Sequence, residues 1–344
     1  MTDESTLITG ATGAIGSEVL KQLYSRQKPS SISIFVRPSK KATKLVKNYP
    51  GINVFYGSIN NEEELARACV KQTYIIHLAA VIPPLANEQP ELTKSVNIEG
   101  TRTLVKVMEE HSPNAFLIYS SSVATYGDRM KNPDILVSDP LTPSLGDDYG
   151  ATKVLTERII QESKLNWTIY RLSAIMGIGN HKVSKIMFHV PLETQMEITT
   201  VRDTARAFVH SIGKRDKLNG SIFNLGGGKE CRITYLDFMT RAFDAYGMGK
   251  VDFPEHAFAT ANFHCGNYID GDLLDDILEF RTDTMDSYFE RFAAAVPSAQ
   301  RLCTRLVSKP VKLYLSQLSE PLKAYKKQDP ALLQRFFGDD HPHR

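Results

Sequence analysis

In the stretch DDYGATK, Tyr149 and Lys153 stand four residues apart. On a helix that spacing puts both on one face, so an ammonium can sit beside a phenol and stabilise its anion. A free phenol has a pKa of about 10 and is ionised in roughly one molecule per thousand at neutral pH; bringing it to 7 takes about 4 kcal/mol of differential stabilisation. A nearby cation supplies part of this. The pair is suited to general acid/base work on an oxygen. Upstream, LIYSSSVATYG places Ser120, Ser121 and Ser122 at the end of an apolar run. If that run is a parallel strand, its carboxyl end is where ligands bind, and a hydroxyl there can hydrogen-bond a reacting oxygen.

A second chemical signal opens the chain. STLITGATGAIGSEVL sets Gly10, Gly13 and Gly16 between an apolar stretch and the start of a helical pattern. Glycine permits positive φ and close backbone approach, and a helix start offers unpaired N–H groups at the positive end of its dipole. Gly10, Gly13, Ala14, Ile15 and Gly16 would together cradle a pyrophosphate. In NAD-binding folds an acidic residue about 20 positions on holds the ribose 2′-hydroxyl. Here Val36 is followed by Arg37, with Ser39, Lys40 and Lys41 close behind. Cations in place of the acid favour a 2′-phosphate, which a guanidinium can clamp with two charge-assisted bonds. The expected cofactor is NADP, with NAD as the alternative.

The elements that must position these groups alternate along the chain. STLIT precedes a helix at 14–26, SISIFV one at 40–48, INVFY one at 61–70, TYIIHLA one at 88–111, and AFLIYSSS and NWTIYRL flank one at 149–163. Near-continuous apolar strands with helical crossovers imply a doubly wound parallel α/β sheet. Beyond Arg171 the alternation becomes irregular, apart from a helix in VRDTARAFVHSI and a strand in GSIFNLGGG. The expected organisation is a nucleotide-binding domain over 1–172, with returns to the sheet near 200–225, and a smaller substrate lobe from 173–199 and 226–295. A tail over 296–344 carries helical spacing broken by Pro321 and would pack on the body, pair with another subunit or rest on a membrane surface.

Composition excludes several classes. Of 344 residues, 42% are hydrophobic and 23% charged, which fits an ordinary globular chain. The net charge of +2 gives no reason to expect nucleic acid. Cys69, Cys231, Cys265 and Cys303 lie far apart, so neither a metal site nor a disulfide framework is expected. Acidic residues stand where a signal peptide needs a positive flank, so no cleaved leader is expected; with no apolar run approaching the roughly 20 residues of a membrane span, the expected location is cytoplasmic.

Taken in order, TGATGAIG, HLAA, VNIEGT, SSSVATYG, YGATK, YRLSAIMG, VRDTARAF and FNLGGG resemble the extended short-chain dehydrogenases/reductases, the branch that includes the NAD-dependent epimerase/dehydratase proteins. The resemblance covers Ser5 to Ala295. It implies a Rossmann-type sheet with a smaller C-terminal substrate-binding lobe, and a catalytic set of Ser122, Tyr149 and Lys153. It also implies cofactor contacts from Gly10, Gly13, Ala14, Ile15, Gly16, Arg37, Ser58, Ile59, Leu78, Ala79, Ala80, Asn97, Tyr149 and Lys153. His77 would belong to the floor beneath the cofactor; Asn97 is either a structural cap or a polar support for the site. The long helices at 88–111 and 149–163 would pair across a two-fold axis in a homodimer.

Departures from the family pattern narrow the chemistry. Sugar-nucleotide dehydratases carry an Asp–Glu pair after the catalytic hydroxyl, where this chain has Val123 and Ala124. Nucleotide-sugar epimerases carry Asn and Arg where Ala174 and Met196 stand. Without those polar partners a buried diphosphate is disfavoured. Val81, Pro83, Pro84, Ser122, Ala174 and Met176 are the expected substrate lining, with Ile175, Met187 and Phe188 adding apolar surface. The expected function is an NADP(H)-preferring oxidoreductase acting on a ketone, aldehyde or alcohol of a relatively apolar small molecule. The alternatives are an epimerase that retains NAD and a nucleotide-sensing regulator without catalysis.

Overall fold

The computed structural model describes residues 4–179, 185–339 and 342. Strands in chain order are β1 (Thr6–Thr9), β2 (Ile32–Val36), β3 (Asn53–Tyr56), β4 (Tyr74–His77), β5 (Phe116–Ser122), β6 (Asp134–Ile135), β7 (Asn166–Leu172), β8 (Ala174–Met176), β9 (Gln195–Thr200), β10 (Ser221–Leu225), β11 (Arg232–Thr234) and β12 (Asn267–Tyr268). Seven form one parallel sheet in the order β10-β7-β5-β4-β1-β2-β3. The strand order reverses between β1 and β4, so the carboxyl ends of these two strands open a crevice. β1, β2 and β4 are buried along their whole length, because helices cover both faces. This is the Rossmann-type arrangement the alternation implied.

Two apolar layers close the sheet. On one face Val19, Leu20 and Leu23 of the helix Ala14–Tyr24 pack with Ala205 and Phe208 of the helix Val201–His210. On the other, Leu65 and Ala68 of the helix Glu62–Cys69 meet Leu104 and Met108 of the helix Gly100–His111. A third cluster, including Phe188, Met196, Phe238, Phe258 and Phe289, forms the lobe core. A three-stranded sheet β11-β9-β8 and the parallel pair β12-β6 tie the lobe to the sheet's carboxyl end.

The segment read as one helix over 88–111 is divided in the structure. Short helices Leu85–Glu88 and Pro90–Thr93 lead into a wide π-helical turn, Lys94–Glu99, before the helix Gly100–His111 begins. The tail also differs from its reading. A 21-residue helix, Ser298–Leu318, runs through Pro310, and the break falls at Ser319 with Pro321 in the first turn of the next helix, Glu320–Lys327. A last helix, Pro330–Phe337, places Leu333, Phe336 and Phe337 against Ala259 and Ala324.

Candidate active site

The glycine turn lies on the floor of the crevice. Gly10 has φ +75°, and a Cβ on it would lie 2.6 Å from the Ala79 nitrogen. Leu78 and Ala79 therefore lie directly against the turn, held by N–H bonds to the Thr9 carbonyl and hydroxyl, each at 3.3 Å. A Cβ on Gly16 would be 2.3 Å from the Gly10 carbonyl oxygen, so only glycine lets the helix start this close to the strand. Gly13 caps the helix with no side-chain bond, and its first turn carries no acid. The N–H groups of this exposed first turn fit an anion such as a dinucleotide pyrophosphate.

Farther along the crevice, Arg37 follows the last residue of β2 and is exposed. Ser39 caps the helix Lys40–Lys47 by accepting from the Ala42 N–H at 3.1 Å. Arg37 thus lies two residues before a helix N-cap. Ser58 is exposed and its N–H donates to Glu64 at 2.8 Å, whereas Ile59 turns its side chain into the core against Gly100. Only the Ile59 backbone is left to face a ligand.

The helix Asp148–Gln161 carries the candidate catalytic pair. Asp147 caps it, accepting from the Gly150 N–H at 2.9 Å. Tyr149, Lys153 and Glu157 follow at spacings of four, on the face toward β5. Burial pushes the Tyr149 phenol up, and the Ser122 hydroxyl hydrogen-bonded to it pulls the other way. Ser122 ends β5 and also caps the following turn, accepting from the Ala124 N–H at 3.2 Å. The structure therefore brings Ser122 and Tyr149 together.

Lys153 is buried, donating to the Ser120 carbonyl at 2.6 Å and the Tyr119 hydroxyl at 3.0 Å. Its ammonium is 5.8 Å from the Tyr149 ring centre. Burial drives Lys153 down to about 7, against the opposing pull of Glu157. His77 is wholly buried between the hydroxyls of Thr9 at 2.7 Å and Thr101 at 3.0 Å, and burial with Lys153 lowers it to about 3. It is therefore neutral near pH 7. Asn97 lies in the π turn; its amide accepts from the Val81 N–H at 2.7 Å and donates to the Val81 carbonyl and the Thr152 hydroxyl. These bonds tie the Val81 loop to the helix of Tyr149.

The expected substrate lining divides. Met176 lines a cleft of about 270 Å³ with Ala14, Ser17, Ile178 and Arg202, adjoining the glycine turn. Ala174 packs against the lobe core, while Met187 and Phe188 are buried within it and so serve packing instead of substrate contact. Ala80 and Pro83 are half-buried and Pro84 exposed on the loop after β4.

One buried network has no counterpart in the sequence reading. The Arg171 guanidinium donates to both Glu157 oxygens at 2.8–3.2 Å, to the Tyr126 hydroxyl at 2.8 Å and to the Val137 carbonyl at 2.8 Å. Ser121 donates to Glu157, and Tyr126 donates to Asn224 at 2.6 Å. The chain thus links the catalytic helix to β5, β7 and β10. Only the helical offset of Glu157 from Lys153 hinted at it.

A family model described as the NAD dependent epimerase/dehydratase family matches residues 6–226. The chain belongs to that family. Among its relatives, a 3β-hydroxysteroid dehydrogenase/Δ5→4-isomerase of Mycobacterium tuberculosis is 26% identical over 220 residues, 60% of this chain and 57% of that protein. A UDP-glucose 4-epimerase of Dictyostelium discoideum is 27% identical over 188 residues, 52% of this chain and 54% of that one. The matched region thus spans little more than half of each curated relative. The solved structure of a dTDP-glucose 4,6-dehydratase from Streptomyces venezuelae with NAD bound superposes with a TM-score of 0.69 at 19% identity, over 90% of this chain and all of that one. The likeness of fold thus runs over most of the present chain.

Proposed function

We propose that the chain is an NADP(H)-preferring oxidoreductase that interconverts a ketone or aldehyde and an alcohol on a relatively apolar small molecule. The observation that carries this reading is Met196. It stands where nucleotide-sugar epimerases resemble one another in carrying an arginine, yet it is 2% exposed, in the lobe core beside Phe238 and Phe289. A guanidinium there would be buried in apolar surroundings. Val123 and Ala124, in place of the dehydratase acid pair, are likewise buried, so an acid at either position could not be hydrated. The steroid-dehydrogenase relative favours the same substrate class.

In this reading the nicotinamide cofactor supplies a hydride acceptor or donor. Tyr149 passes a proton to or from the substrate oxygen, and Ser122, bonded to the same phenol, donates to that oxygen and fixes its position. Lys153, held by Ser120 and Tyr119 with its ammonium 5.8 Å from the Tyr149 ring centre, favours the phenolate that takes up the hydroxyl proton when an alcohol is oxidised and that is left behind when a carbonyl is reduced. Asn97 keeps the Val81 loop against this helix. Tyr149→Phe should lower carbonyl reduction with NADPH by about a hundredfold or more while leaving NADPH affinity unchanged. Retained turnover would remove Tyr149 from this role.

A further inference from the structure

The helix Ser298–Leu318 is anchored on one side only. Leu315 and Ser316 are buried, Val311 packs on the lobe core, Arg301 donates to the Ala245 carbonyl at 3.0 Å, and Lys312 bonds Asp252. The opposite side is apolar. Leu302, Leu306 and Leu313 are 61%, 78% and 66% exposed. At about 100° per residue these three leucines fall within roughly 40° of one another, opposite Leu315. Val307 and Tyr314 extend the exposed strip on one flank, and Arg305 and Lys309 border it on the other. Four cations and no acid occur in the helix, which is about 31 Å long.

We propose that this face docks the protein flat on an anionic lipid surface. A leucine stripe bordered by cations, on a helix whose other side is fixed to a folded body, matches the interfacial mode, in which apolar side chains enter the acyl boundary and cations meet headgroups. Charge complementarity decides between occupants: with Lys312 paired to Asp252 and Arg301 bonded to the body, a second copy of the chain would bring together two faces bordered by Arg305 and Lys309 and without an acid of their own, whereas an anionic surface neutralises them. No helix among the described residues is long and apolar enough to cross a membrane. Docking is independent of the reaction.

The full chain is sedimented with vesicles of phosphatidylcholine alone and of equal parts phosphatidylcholine and phosphatidylserine. Cys303, exposed while the other three cysteines are buried, takes an environment-sensitive dye. Binding is expected only to the anionic vesicles, weakened by salt, with a blue shift at Cys303. Leu306→Glu, and separately Arg305→Glu with Lys309→Glu, should each lower vesicle affinity by about tenfold or more. Both alter exposed side chains, so folding should be unaffected. Failure to sediment, or sedimentation that Leu306→Glu leaves unchanged, would overturn the proposal. A fall in the protein's own sedimenting mass on Leu306→Glu without vesicles would instead assign the face to a second copy.

Discussion

Among single residues, the burial of charge-bearing groups governs behaviour. His77 takes no proton in the folded chain until about pH 3, against 6.5 for the free side chain. Between these values the unfolded chain binds a proton that the native chain does not, so stability falls as pH drops below 6.5. His189, His210 and His264 are lowered in the same sense by burial and add to the slope. In urea unfolding from pH 6.5 to 5, His77→Gln should reduce that slope by up to about 1.4 kcal/mol per pH unit, whatever its absolute stability. An unchanged slope would mean His77 is hydrated and titrates normally. Its buried place was legible in the sequence, because a lone histidine ends an apolar strand; its two threonine partners were not, since neither is near in sequence.

At the level of elements, the helix Asp148–Gln161 is a positioning device with three registers. Tyr149 faces the crevice, Lys153 the end of β5, and Glu157 the Arg171 guanidinium on β7. Glu157 and Arg171 are both buried, so removing one charge leaves the other without a partner in low dielectric. Glu157→Gln should cost about 3–5 kcal/mol in denaturant unfolding; a loss below about 1 kcal/mol would place the pair in a hydrated setting. Sequence spacing disclosed the first two registers through YGATK. The third was missed because its partner arrives through tertiary packing from another strand. The π turn was missed for a related reason. Residues 88–111 have helical spacing throughout, but Asn97 must reach the Val81 backbone, and Gly100 must pass Ile59 where a Cβ would lie 2.6 Å away.

For the whole molecule, the sheet was legible almost strand by strand, since parallel strands buried on both faces are continuous apolar runs; NWTIYRL is β7 residue for residue. The lobe was less so, because its short strands β8, β9 and β11 have no period of their own and are defined by pairing with one another. Residues 180–184, within its expected covering segment, lie outside the described residues. The two-fold pairing of helices is carried forward as a proposal: Leu155, 44% exposed on the helix Asp148–Gln161, would lie in that interface. Leu155→Glu should then halve the mass found by analytical ultracentrifugation, and a wild-type monomer would dismiss the pairing.

The central claim, an exchangeable NADP(H) site serving carbonyl chemistry, is tested most directly by identifying and quantifying the nucleotide released when freshly purified protein is denatured, then titrating the same preparation with NADPH and NADH. The account predicts an empty or readily exchanged site that prefers NADPH, with the preference lost in Arg37→Ala. Near-stoichiometric, poorly exchanging NAD would contradict it and favour the retained-cofactor chemistry of an epimerase.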